Sequence, residues 1–337
     1  MVFSMVMLIV IIGVGGAVLC AGAAVLMGWS LTHPPRMSDG KAMWVLKRLS
    51  PSDLGMEFED VKFVVREERG ERLSIAAWWI PHPRAQGRCV VLQHGYADAK
   101  VGAIAWAPVW HSLGFNVLTP DMRAHGESGG KACTAGYFEK EDLSQVIDEL
   151  RATRAEETRV LVLAGLSMGA AVAAATAAKR DDVAAVVLDS VYARFRNAAT
   201  RHMSWVGLPG GWIQLLAIKL AGWMTGADLD LVNPTELVAS MKCPVMVIEA
   251  EKDWSLSAED RAALKEAVEK SRGKSGVAEL WTVEETGHLM ALVADAGAYR
   301  EKLRNFLSTA LNCNVASALE PARESRAEPN RTTDVVS

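Results

Sequence analysis

At 337 residues, half of them hydrophobic and 23% charged, the chain can hold one catalytic domain of roughly 250 residues with extensions. A net charge of −4 and the absence of basic clusters argue against a nucleic-acid partner. The cysteines (Cys20, Cys89, Cys133, Cys243 and Cys313) are odd in number and scattered, without metal spacing or a disulfide framework, so Cys89 and Cys243 read as buried free thiols at strand starts.

The chain opens on "MVFSMVMLIVIIGVGGAVLCAGAAVLMGWSLTHPPR", with no charged side chain before Arg36. This predicts a helix over residues 4–29, long enough to cross about 30 Å of hydrocarbon. A retained anchor fits better than a cleaved signal: no basic segment leads the apolar run, the run is long, and Leu19 spoils a lipoprotein cleavage site at Cys20. Gly13, Ala17 and Ala21 recur every four residues, a spacing shared by helix-packing faces and by ordinary membrane helices. Arg36, Lys41, Lys47 and Arg48 follow the helix, so the positive-inside rule places the next domain in the cytoplasm.

After "HPPR", strands and helices alternate, as in a mostly parallel sheet covered on both faces. Residues 60–70 and 71–81 read as an antiparallel strand pair joined at Gly70. Apolar strands follow in 87–95, 111–121 (after a helix end), 159–165, 183–190, 243–253 and 277–288. Residues 139–152 and 294–311 carry helical periodicity. Between two of the strands, residues 192–240 form short helices bearing Trp205, Trp212 and Trp223, an insertion suited to a lid or substrate wall. The expected organisation is an anchor over 1–35, a catalytic domain over 36–311 and a disordered polar tail over 312–337.

The chemistry gathers around "GLSMG", with Ser167 between Gly165 and Gly169. The motif is weak alone, but it follows the strand "VLVLA" and opens an alanine-rich helix, as a nucleophile elbow requires. A side chain two residues either way would clash with the strained turn, hence the two glycines. A serine needs a base, and the base an orienting acid, in the chain order Ser, acid, His. Asp253, in "EAEKDWS", and His288, in "ETGH", each lie just past a strand at the required place. Glu251 and Asp189 are rival acids. Among the histidines, His94 belongs to the "QHGY" turn, His125 to "DMRAHGES" and His202 to the insertion. Met168 and Tyr96 are the expected backbone donors of an oxyanion hole, with Gly95 allowing close approach. Asp121, Arg123 and His125 read as a structural loop beside the site.

These stretches ("HGY", "DMRAHGESGG", "GYFEKEDL", "GLSMG", "DSVYA", "EAEKD" and "TGH") together resemble the α/β-hydrolase superfamily over roughly residues 60–310. More narrowly they resemble membrane-anchored bacterial hydrolases with a serine-aminopeptidase-like (S33) domain. The resemblance implies an α/β-hydrolase fold with a small helical lid, a Ser167–Asp253–His288 triad and an acyl-enzyme. The acid loop departs from the family pattern, with Ala250 in place of glycine and no proline after Asp253.

The expected activity is hydrolysis of a carboxylic ester or thioester at the bacterial inner membrane, with a small-molecule acyl substrate that the tryptophan-bearing insertion and the anchor favour as apolar and lipid-like. No metal or organic cofactor is called for. Two alternatives stand beside it: an aminopeptidase-type amidase, with Asp228, Asp230 or Glu236 forming an amine pocket, and a non-catalytic membrane-tethered binding protein on the same fold. Oligomeric state is left open.

Overall fold

The computed structural model describes residues 2–67, 70–204, 211–313 and 315. Eight strands form one sheet: β1 (Glu59–Arg66), β2 (Arg72–Ile80), β3 (Arg88–Gln93), β4 (Asn116–Pro120), β5 (Val160–Leu166), β6 (Ala185–Asp189), β7 (Val245–Ala250) and β8 (Ala278–Val283). Their order is β1-β2-β4-β3-β5-β6-β7-β8. β1 and β2 pair antiparallel, with Arg66 opposite Arg72, and β2 meets β4 antiparallel. From β4 onward every pairing is parallel.

The helices are α1 (Val2–Thr32), α2 (Asp39–Leu46), α3 (Lys100–Ala103), α4 (Ala107–Ser112), α5 (Glu139–Thr153), α6 (Met168–Ala177), α7 (Phe195–Ser204), α8 (Gly211–Thr225), α9 (Pro234–Ser240), α10 (Ala258–Ser275), α11 (Ala291–Ala294) and α12 (Ala296–Ala310). Successive strand residues point to opposite faces, so each apolar strand feeds two cores. Val91, Leu163 and Val247 pack with α5, α6 and α10. Val90, Val162 and Met246 pack on the other face with α3, α4 and α12. A sheet covered on both faces needs strands that are apolar at every position, which is why these were so visible in the sequence.

Three local differences from the sequence reading have physical causes. The closing helix starts at Ala296, two residues later than read, because the Asp295 carboxylate accepts the Ala298 N–H at 2.8 Å and caps it there, with the short α11 as a separate turn before it. Val315 is buried against the core beside α12, so the tail is not free at its first residues; Trp205 and residues 316–337 lie outside the described part. Cys89 is buried, but Cys243 is only partly so; both are free thiols.

α1 is the one helix among the described residues long and apolar enough to cross a membrane, properties that a signal sequence near an N-terminus shares. Its close helix contact is not at Gly13, Ala17 and Ala21, which are exposed. It is at Gly28, where an added Cβ would lie 2.6 Å from the Ala217 carbonyl oxygen of α8. Ala24, Met27 and Gly28 meet Ile213, Ala217 and Ile218 there, a close approach that small residues permit.

Candidate active site

Ser167 sits at the joint of β5 and α6 with φ 53° and ψ −116°, a left-handed conformation that costs a non-glycine residue of order 1–3 kcal/mol. The neighbouring strand holds this conformation in place: the Ser167 N–H donates to the Asp189 carbonyl at 2.9 Å. Asp253 follows β7 and His288 follows β8, so three loops at the same sheet edge meet. The Ser167 Oγ lies 2.9 Å from His288 Nε2, and His288 Nδ1 lies 2.7 Å from Asp253 Oδ2. Burial alone would raise the Asp253 pKa. The hydrogen bond and charge of His288, with the Ser255 N–H, outweigh it and hold the carboxyl below its ordinary range. It is therefore ionised at neutral pH and accepts from Nδ1–H, which leaves Nε2 as the acceptor facing the serine hydroxyl.

The rival acids are occupied elsewhere. The Glu251 carboxylate accepts the Glu285 N–H at 2.8 Å, pinning the turn after β8. Asp189 is buried and accepts from Trp106 Nε1 at 3.2 Å, Tyr299 OH at 2.9 Å and Ser190 Oγ at 3.0 Å. Burial raises its pKa despite these bonds. The Ser190 Oγ also accepts the Leu289 N–H at 3.0 Å, so the Asp189–Ser190 unit orients the loop that carries His288. The acid loop manages without a proline: the Arg261 guanidinium binds the carbonyls of Ala250 at 2.9 Å and Glu251 at 2.7 Å. Neither Ser190 nor Arg261 was singled out in the sequence, since nothing local marks a side chain that positions a loop.

Facing Ser167, the turn after β3 is held by two imidazoles. His94 Nε2 accepts the Met122 N–H at 2.9 Å, so its proton is on Nδ1 and is donated to the Gly95 carbonyl at 2.7 Å. In a trans peptide the C=O and the following N–H point in opposite directions, so fixing the Gly95 carbonyl aims the Tyr96 N–H the other way. His125 repeats the arrangement, accepting from the Ala97 N–H at 3.3 Å and donating to the Arg123 carbonyl at 2.9 Å. Burial, reinforced by His125, pushes the His94 pKa far down, and burial also lowers that of His125. Both rings are neutral, as these bonds require. Met168 is the first residue of α6, where a helix leaves its N–H groups unpaired. Gly95 is not sterically demanded: a Cβ there would sit 3.5 Å from the Ser167 Cβ, ordinary contact. The loop with Asp121, Arg123 and His125 is tied to two helices, to α3 through Lys100 Nζ and Asp121 at 3.0 Å and to α5 through Arg123 and Asp142 at 2.6 and 2.7 Å.

Residues 89–301, more than half of the chain, match the Alpha/beta hydrolase family. The chain belongs to that family. This hydrolase is similar to the uncharacterized protein YqkD of Bacillus subtilis (strain 168), at 27% identity over 67% of this chain and 72% of that one. Among solved structures it resembles the Pyrococcus furiosus esterase Pf2001, with TM-score 0.66 and 24% identity, covering 83% of this chain and 98% of that chain. It also resembles the Pyrococcus horikoshii acylaminoacyl peptidase, with TM-score 0.53 and 13% identity, covering 83% of this chain and 45% of that one.

The insertion between β6 and β7, read from the sequence as a lid, carries α7, α8 and α9. Its acidic residues are used locally: Asp230 pairs with Arg196, and Asp228 Oδ1 accepts the Asp230 N–H at 3.1 Å. Glu236 lies in the first turn of α9, where a carboxylate favours the helix dipole. His202 of α7 stands between the rings of Tyr96 and Trp254, and Trp254 lies 5.5 Å from His288. Tyr96 does more than pack, since its hydroxyl donates to the Ser30 carbonyl near the end of α1. Beside it Arg36 Nη1 reaches the Gly126 and Ser128 carbonyls at 2.8 and 2.5 Å. A cavity of about 1040 Å³ lies between this end of α1 and the Tyr96 turn, bordered also by His202 and Lys131.

The glycines around the serine carry a stability prediction. A Cβ on Gly169 would come under 3.0 Å from the backbone of Gln93 and His94, and one on Gly165 under 3.0 Å from that of Gly169. Backbone cannot rotate aside as a side chain can. Gly169→Ala is therefore expected to cost about 3 kcal/mol or more and to lower Tm by roughly 6–12 °C in a calorimetric scan. Gly95→Ala, with room for its methyl, is expected to shift Tm by less than about 3 °C.

Proposed function

We propose that this protein is a serine hydrolase that cleaves a carboxylic ester or thioester through an acyl-enzyme on Ser167, and that α1 retains it in a membrane with the catalytic domain on the cytoplasmic side. The observation that carries the reaction is the continuous chain from Ser167 Oγ through His288 to Asp253, at 2.9 and 2.7 Å. His288 Nε2 takes the hydroxyl proton as Oγ attacks the carbonyl carbon. The N–H groups of Met168 and Tyr96 receive the developing oxyanion. The protonated imidazole, stabilised by ionised Asp253, gives its proton to the leaving alcohol or thiol. Water then enters, His288 takes one of its protons, and the acid leaves while Ser167 is restored.

The lid geometry supports ester or thioester over aminopeptidase action, because Asp228 and Asp230 are engaged in their own turn and ion pair and Glu236 is exposed in the first turn of α9. Retention of α1 is supported by what cleavage would remove: the Gly28–Ala217 contact and the Tyr96–Ser30 bond both tie that helix to the domain. A panel of p-nitrophenyl esters and aminoacyl p-nitroanilides tests the reaction class. Ester kcat/KM is expected to exceed amide kcat/KM by at least about a hundredfold; comparable values would reverse the assignment.

A further inference from the structure

The lid helix α8, "GWIQLLAIKLAGWMT", has no polar side. Ile213, Ala217, Ile218 and Ala221 are buried on one stripe. The opposite, exposed stripe runs Trp212, Leu215, Lys219 and Trp223, at spacings of three, four and four residues. Trp212 is 58% exposed and Trp223 81%. The outer stripe of a helix that faces only water is ordinarily polar. Here two tryptophans and a leucine surround one lysine, whose long stem lets its ammonium reach upward from an apolar layer.

What lies against that stripe follows from its neighbour. α1 and α8 touch backbone to backbone at Gly28 and Ala217, so they share one level. At that level α1 also exposes Val25, Leu26 and Trp29. The 31 residues of α1 span about 46 Å. The hydrocarbon core needs about 30 Å, which leaves roughly ten residues over, and the ties of Ser30 to Tyr96 and Gly28 to Ala217 put that excess at the C-terminal end, in the interfacial layer beside the domain. α8 is attached there, and its 15 residues are too few to span. The cavity beside the Tyr96 turn is bordered by the same end of α1, at Trp29, Pro34 and Pro35.

We propose that α8 lies in the bilayer interface beside α1, and that the cavity takes an acyl ester of a bilayer lipid directly from that leaflet. The membrane contact stands on the exposed stripe and its level; the substrate class rests on the hydrolase reading above. The cavity's lining runs from Trp29 of α1 to Tyr96, so an ester group entering from the headgroup layer past Trp29 arrives at the turn whose Tyr96 N–H is assigned to the oxyanion hole.

The full chain, reconstituted in phosphatidylcholine vesicles containing a diazirine-acyl phosphatidylcholine, is irradiated and its peptides are analysed by mass spectrometry. Lipid adducts are expected on α1 and α8 and not on α10. Adducts on α1 without α8, or crosslinks from α8 to a second copy in their place, overturn the membrane contact. The double variant Trp212→Asp, Trp223→Asp is then assayed on a long-chain ester embedded in the vesicles and on soluble p-nitrophenyl butyrate. Turnover of the embedded ester is expected to fall at least about tenfold, with the soluble ester within about twofold of wild type. An equal fall on both substrates overturns the leaflet route. If wild type turns over neither ester, the hydrolase reading fails, while the adducts still decide whether α8 meets lipid.

Discussion

Ser167→Ala and His288→Ala are each expected to lower kcat/KM on the best ester by roughly 10⁴- to 10⁶-fold, and the double variant by no more than the single ones. The reason is that the two groups act as one. A serine hydroxyl is a poor nucleophile until its proton has somewhere to go, and the acceptor is His288 Nε2 at 2.9 Å. Removing either partner removes the same step. The residual rate comes from the oxyanion donors and from binding, which neither substitution touches. Both side chains are partly exposed at the sheet edge, so the folded state survives their loss, and matched circular dichroism spectra check this. Additive losses in the double variant would mean that the two residues act in separate steps.

Asp253→Asn is expected to cost roughly 10³- to 10⁴-fold in kcat with little change in KM. Asparagine keeps the shape but presents an N–H to the ring in one of its orientations, which favours the tautomer with its proton on Nε2. That tautomer cannot take the Ser167 proton. The charge is lost as well, and with it the stabilisation of the imidazolium formed during attack. Glu251→Gln is the matched control. Its carboxylate is engaged with the Glu285 N–H, and its amide oxygen still accepts, so activity is expected to remain within about threefold. If Glu251→Gln were the damaging substitution, the acid assigned to His288 would be the wrong one.

Much of the molecule was readable before its structure because the relevant signals are local. The parallel strands are short apolar runs, and each was placed to within a few residues. Ser167 was marked by flanking glycines whose purpose, the close packing of α6 on β3 and β5, is now a set of distances. Asp253 and His288 were found from chain order rather than from any motif strong enough alone. What stayed hidden depends on residues distant in sequence. Asp189 was a plausible rival until Trp106 and Tyr299, 83 and 110 residues away, proved to occupy it. The meeting of α1 with α8 could not be anticipated, since two apolar helices carry no register information until Gly28 is seen against Ala217. The regularly spaced Gly13, Ala17 and Ala21, read as ordinary small residues of a membrane helix, form a stripe that faces outward. The clamp of Arg36 on the loop beside the site was likewise invisible, because its partners are backbone carbonyls, which every residue has.

The central claim is that Ser167 is a nucleophile activated in the resting fold. Its most direct test is reaction of the full chain with a fluorophosphonate, followed by mass spectrometry of the peptide spanning residues 159–179. A single adduct on Ser167, absent in Ser167→Ala and strongly slowed in His288→Ala, is the expected result. No adduct at Ser167 in the wild type, or labelling undiminished in Ser167→Ala, would contradict the account.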